Sequence, residues 1–118
     1  MEDTKLVFVY GSLRKGRGLN PVLSSSEFVG EFKTKPKYTM YSLGAFPCIV
    51  KSGNTSIVGE IYKISLETER RLDMIEGVPQ LYQKGKVDID GHKDVIAYFM
   101  KKSSVKGLNK VDNGDWLS

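Results

Sequence analysis

The sequence is poor in the residues that most often build metal, redox and disulfide chemistry. Its 118 residues hold one cysteine, Cys48, and one histidine, His92. A lone cysteine excludes an internal disulfide, and one Cys with one His cannot make a Cys/His zinc site. The acidic residues form no loop with the dense, regular spacing of a hard-cation site. The expectation is a function without metal or other cofactor. No apolar run approaches the ~20 residues needed to cross a bilayer, and the first residues, Met1-Glu2-Asp3-Thr4, are acidic where a signal peptide would be basic. A soluble, cytoplasmic protein with no membrane partner is expected. Repeats, linkers and low-complexity tracts are also missing, and the length falls short of two ordinary domains, so residues 1–118 read as one domain.

What is present begins with charge. Lys and Arg number 18 against 14 Asp and Glu, a net charge of +4. Such an excess favours an anionic partner, either nucleic acid or a small carboxylate or phosphate. The cations are spread along the chain instead of forming one block, which weakens the nucleic-acid reading and favours a small molecule.

Short strands dominate the pattern. Lys5–Tyr10 is almost wholly apolar, as in a strand covered on both faces. Phe28–Phe32, Tyr38–Ser42, Pro47–Lys51 and Ser56–Ile64 follow. Val87–Ile89 and Asp94–Met100 flank Asp90-Gly91, a dipeptide suited to a tight hairpin. Asn20-Pro21 reads as the cap and first residue of a short helix ending near Ser25. Ser65 caps a second helix running to Glu76, stopped by Gly77. Beyond Lys101 the chain reads as a loop-rich tail, closed by Trp116 packing on the body. The sum is an α+β domain: a small mixed, mostly antiparallel distorted β-barrel with two short helices.

Two places carry candidate chemistry. The first is the turn Tyr10-Gly11-Ser12-Leu13-Arg14-Lys15-Gly16-Arg17-Gly18, where a buried strand runs into a glycine-rich loop. Successive inward N–H groups there would make an anion cradle, reinforced by Ser12 and the nearby cations; the alternative is an ordinary basic surface turn. Gly11 and Gly16 have P-loop spacing, but Arg17-Gly18 stands where Lys-[Ser/Thr] is required, so nucleotide hydrolysis is disfavoured. The second is Glu76. At roughly 100° per residue, Leu66, Leu72 and Ile75 mark an apolar arc, and Glu76 falls inside it. An inward carboxylate at a helix C-terminus has its pKa raised by burial and by the helix dipole, which suits a general base near neutral pH. The alternative is a boundary glutamate that reaches water or pairs with Lys84. Glu69 shares the arc, but nearer the helix start, where capping explains a carboxylate. Cys48, between Phe46-Pro47 and Ile49-Val50, reads as a buried, inert thiol. Tyr82 and Tyr98 read as half-buried strand aromatics whose hydroxyls could reach a polar ligand.

The segments in their order resemble the gamma-glutamylcyclotransferase-like family. Val9-Tyr10-Gly11-Ser12-Leu13 is similar to its strand-end Y-G-[ST]-L signature, and Asn20 stands near an asparagine of many members. Tyr41-Ser42-Leu43-Gly44, Phe46-Pro47 and Val58-Gly59-Glu60-Ile61-Tyr62 continue the likeness. Leu72-Asp73-Met74-Ile75-Glu76-Gly77, Pro79-Gln80-Leu81-Tyr82, Tyr98 and Gly114-Asp115-Trp116 complete it. Lys84 stands close to where relatives often carry arginine, and a lysine loses the forked pairing. The resemblance implies a small mixed barrel and a cofactor-free intramolecular acyl transfer. The α-amine of a gamma-glutamyl group attacks its own side-chain amide, forming 5-oxoproline and expelling an amine or amino acid. It implies Glu76 as general acid and base, the Tyr10, Gly11, Ser12 and Leu13 amides as substrate cradle, and Tyr82 and Tyr98 as pocket walls. A non-catalytic member binding a small carboxylate or a peptide end is the alternative.

Overall fold

The computed structural model describes residues 3–117. Eight strands form two sheets: β1 (Thr4–Val9), β2 (Glu27–Lys33), β3 (Tyr38–Ser42), β4 (Pro47–Thr55), β5 (Val58–Ser65), β6 (Gln83–Lys86), β7 (Val95–Phe99) and β8 (Asn109–Lys110). The larger has the order β2-β5-β1-β7-β6 and the smaller β4-β3-β8. Pairing is antiparallel except between β1 and β7, which run parallel.

The apolar run at the start occupies the middle of the larger sheet, where both faces are covered. Val7 and Val9 enter one apolar cluster with Leu72, Cys48 and Tyr98. Phe8 and Tyr10 enter the other with Met40, Ile49 and Ile61. A strand's period of two thus divides one sequence run between two cores. Gly59 of β5 lies so close to β1 that a Cβ there would be 2.4 Å from the Val9 carbonyl oxygen.

The expected barrel is not closed. The edge strands β2 and β6 do not pair with each other, and the smaller sheet forms separately. A bulge between Phe28 and Gly30 interrupts β2, and β6 is only four residues long, so neither edge offers a long, regular ladder for closure. The helix count is also corrected. One α-helix, α1 (Leu66–Ile75), is present among the described residues, together with single 3-10 turns at Asn20–Leu23 and Lys102–Val105. Asn20 does not cap: its side-chain amide donates instead to the Leu13 carbonyl at 2.8 Å and the Tyr62 hydroxyl at 3.1 Å.

Helix α1 starts as its sequence requires, with the Ser65 hydroxyl accepting from the Thr68 N–H at 3.2 Å. Its buried row is narrower than the expected arc. Leu72 is fully shielded, while Leu66 and Ile75 remain 38% and 41% exposed. Glu69 is buried as an ion pair, not as a cap, and accepts from Lys84 at 2.7 Å and Lys5 at 3.3 Å. In the last hairpin, Asp90-Gly91 turns between Ile89 and His92, with only Gly91 of the two at positive φ. The ladder resumes at β6, earlier than expected, because Asp94 at φ +57° breaks the pairing between. The tail packs as expected, Trp116 resting on the second core cluster.

Candidate active site

Parallel pairing brings the ends of β1 and β7 to the same edge of the sheet (Leu6 opposite Val95, Val7 opposite Ile96). Tyr10 and Tyr98 therefore emerge together, and the Tyr10 hydroxyl donates to the Tyr98 carbonyl at 2.6 Å. The chain leaves β5 directly into α1, which runs back and ends at this same edge. Glu76 is the residue that closes the helix, its N–H donating to the Leu72 carbonyl at 2.9 Å. Gly77 then takes φ +65°, a conformation that favours glycine, and the Tyr82 N–H returns to the Glu76 carbonyl at 3.3 Å.

Between them lies a cavity of about 180 Å³ lined by Tyr10, Gly11, Ser12, Leu13, Glu76, Tyr82 and Tyr98. All seven residues singled out from the sequence thus share one hollow. It is small beside the roughly 300–1,000 Å³ of sites for drug-sized ligands. The floor comes from Phe8, Val9 and Pro47, and Leu19, Phe46, Ile75 and Leu81 complete the walls. Sequence reasoning gave none of these a role. Phe46-Pro47 was visible as a motif, but nothing local showed that a distant loop would close on the first turn. Pro47 comes so near that a Cβ on Gly11 would sit 2.7 Å from its Cδ. Only glycine lets the turn pass under this ring.

The turn has free donors. The Gly11, Ser12 and Leu13 N–H groups and the Ser12 hydroxyl have no protein partner among the described residues, whereas the carbonyls of Gly11 and Ser12 accept from Arg14 and Leu19 N–H at 3.0 Å. Arg14, expected to add positive charge to the cradle, is spent elsewhere. Its guanidinium meets Glu60 at 3.1 Å, Asp115 at 2.9 Å and Glu31 at 2.9 Å. Glu60 also accepts from the Lys15 N–H at 2.8 Å and the Tyr62 hydroxyl at 3.1 Å. This network fixes the loop's shape, and among the described residues no Lys, Arg or His lines the hollow.

Glu76 is the reverse case. Its carboxyl has no hydrogen bond or ion pair among the described residues, and burial alone lifts its pKa from 4.5 to about 7. The alternative pairing with Lys84 does not occur, because that ammonium is held by Glu69 and by Asp73 at 2.9 Å. Asp73 in turn accepts from the Tyr98 hydroxyl at 2.7 Å, and the Tyr82 hydroxyl donates to the Pro47 carbonyl at 2.8 Å. Burial, reinforced by Glu76 and Tyr82 for Tyr10 and by Glu76 for Tyr82, raises both phenols. Burial and Asp73 do the same for Tyr98. All three tyrosines are therefore neutral walls of the cavity that holds Glu76. Cys48 is buried with its thiol pushed up to about 11 by burial, an inert core residue. His92 packs against Phe32, outside this cavity. Among the described residues no cluster of His, Cys, Asp or Glu is placed to hold a metal, and no helix is long and apolar enough to cross a membrane.

Residues 7–118 match the family model described as gamma-glutamyl cyclotransferase, AIG2-like. A Vibrio cholerae protein provisionally named a gamma-glutamylcyclotransferase is 37% identical over 111 residues, 94% of each chain. Among solved structures, an E. coli protein described as specific to uropathogenic strains superposes with a TM-score of 0.84 at 25% identity, covering 97% of this chain and 93% of its own. A mouse AIG2-like protein shares the fold, with a TM-score of 0.76 at 20% identity over 92% of this chain and 86% of its own. With the family model matched over residues 7–118 and a relative 37% identical over 94% of the chain, the chain belongs to the gamma-glutamyl cyclotransferase, AIG2-like family.

Proposed function

We propose that this single-domain chain is an active, cofactor-free cyclotransferase that converts a gamma-glutamyl amine or gamma-glutamyl amino acid to 5-oxoproline, with Glu76 as general acid and base. The observation that carries the reading is the convergence of an unpartnered, half-buried carboxyl and a run of free amide donors on one small cavity.

In this reading the Gly11–Leu13 amides and Ser12 hold the glutamyl α-carboxylate, and the Tyr10, Tyr82 and Tyr98 rings confine the chain to a bent rotamer. The α-nitrogen is thereby held against the side-chain carbonyl carbon, and ring closure gains from that proximity. A bond forms between these two atoms, and the bond from that carbon to the departing nitrogen breaks. Two protons pass from the α-ammonium to the departing nitrogen by way of Glu76, which ends unchanged. A carboxyl titrating at about 7 can both take and return them at neutral pH. The nucleophile belongs to the substrate, so no serine or cysteine is needed.

The test is mass-spectrometric detection of 5-oxoproline from a gamma-glutamyl library, with wild type and Glu76→Gln in parallel. Wild type forms product with kcat/KM rising through pH 7 as Glu76 ionises. Glu76→Gln, still folded, loses about 10²–10⁴-fold of the rate. A fully active Glu76→Gln protein would remove Glu76 from the mechanism. Saturable binding with no turnover across the library would favour the non-catalytic binder.

A further inference from the structure

We propose that the junction of the two sheets carries a second binding site, separate from the cavity of Glu76, for an oligophosphate: a chain of linked phosphates, free or on a nucleotide. None of the residues lining it lines that cavity, and it stands or falls independently of the cyclotransferase reading.

The location of the net charge is the first argument. Residues 101–110 hold four lysines and no acid, while the whole chain carries +4, so the remainder sums to zero. The fold then adds Lys51 and Lys84 to this segment. Where β7 ends, the Met100 N–H donates to the Ile49 carbonyl at 2.9 Å and ties the larger sheet to β4 of the smaller. A hollow of about 340 Å³ opens at this tie, with Val50, Phe99 and Met100 as its buried floor and Lys51, Lys84, Lys101 and Lys102 around it. Lys102 also lines an adjoining hollow with Lys106 and Lys110. Among the described residues no Asp or Glu lines either one.

Pairing is the second argument. Of these six lysines only Lys84 forms an ion pair, with Glu69 and Asp73. The other five have none among the described residues. Gathered like charges repel, and a set left without counter-ions is a surface that attracts an anion. Lys51 is also held in place. Its ammonium lies 4.7 Å from the centre of the Phe99 ring and 2.6 Å from where a Cβ on Gly85 would stand. The missing side chain at Gly85 leaves room for it.

The class of anion follows from the donors and their layout. All are lysines, which meet phosphate as point charges, and no arginine supplies the fork that grips a carboxylate. Five unpaired cations over two joined hollows match an elongated anion charged at every unit better than a compact one. Phe99 is 4% exposed beneath Lys51, so it offers no open face for stacking a base, which disfavours single-stranded nucleic acid.

The experiment is calorimetric titration of the full chain with tripolyphosphate, ATP, citrate and a single-stranded RNA oligonucleotide at low and high salt. Tripolyphosphate is expected to bind at least about tenfold more tightly than citrate, and to weaken about tenfold between roughly 50 and 300 mM NaCl. The triple variant Lys51→Gln, Lys101→Gln, Lys102→Gln is expected to lose about 30-fold in affinity while 5-oxoproline formation is unchanged. Lys33→Gln, Lys63→Gln, Lys93→Gln removes the same charge at exposed positions outside both hollows, and is expected to lose less than about threefold. Should the first triple variant fail to fold, Lys102→Gln alone, at the residue common to both hollows, is expected to lose about fivefold. ATP binding within about threefold of tripolyphosphate supports recognition of the phosphate chain alone, and ATP binding more than about tenfold tighter supports a nucleotide as its source. Absence of binding, equal losses from the two triple variants, citrate binding as tightly as tripolyphosphate, or RNA binding more tightly than either phosphate compound overturns the inference and leaves the cyclotransferase reading untouched.

Discussion

Glu76 lines the cavity and Arg14 follows the turn that lines it, and the chain treats their charges in opposite ways. Arg14 is 3% exposed and surrounded by Glu60, Asp115 and Glu31 at 2.9–3.1 Å. Glu76 is also withdrawn from water, yet it meets no cation and its pKa drifts up to about 7. Where partners are supplied, a buried charge becomes a fixed strut. Where they are withheld, it becomes a group that exchanges protons near neutrality. The strut makes the loop rigid enough to present its amides, and the unpartnered acid is what a proton-transfer step requires.

The contrast can be broken most severely at Arg14. Arg14→Met leaves Glu60, with a side chain 6% exposed, without its guanidinium partner, and is expected to cost about 3–5 kcal/mol in chemical denaturation. A loss under 1 kcal/mol would mean that the network is ornamental. Glu76 should show the opposite sign. In the unfolded chain it ionises near 4.5, while in the folded protein it keeps its proton to about 7. Its contribution is therefore flat below pH 4.5, declines between 4.5 and 7, and is flat again above. Glu76→Gln is expected to be more stable than wild type by up to about 3 kcal/mol at pH 8 and no different at pH 4. Equal stability at both pH values would show that the carboxyl is not desolvated. The smallest effect tests what separates the two sites. Gly11→Ala drives a methyl into Pro47, and a cost of about 1–3 kcal/mol is expected. On the proposed mechanism, in which these amides bind substrate and Glu76 moves protons, KM should rise more than kcat falls.

Much of this arrangement is legible along the chain. The run Lys5–Tyr10 announces a strand buried on both sides, Ser65 and Gly77 bracket α1, and the helical phase of Glu76 relative to Leu72 points it inward. Those signals are local, set by side-chain period and by caps. The readings that failed needed distant partners. Arg14 was read as a cradle cation because Glu31, Glu60 and Asp115, 17 to 101 residues away, give no sign in the sequence of meeting it. Glu69 was read as a cap for the same reason, since its partners Lys5 and Lys84 come from β1 and β6. Barrel closure failed on edge geometry, which a bulge at Phe28–Gly30 and a four-residue β6 decide.

The amino-acid order alone established the strand-rich α+β character, the inward acid, the glycine turn and the family likeness, because each is written in spacings of a few residues. The tertiary structure alone decided which charges are paired. Ion pairing depends on separations of about 3–4 Å between side chains, here up to 101 positions apart, and those separations exist only once β1, β5 and β7 have been laid side by side.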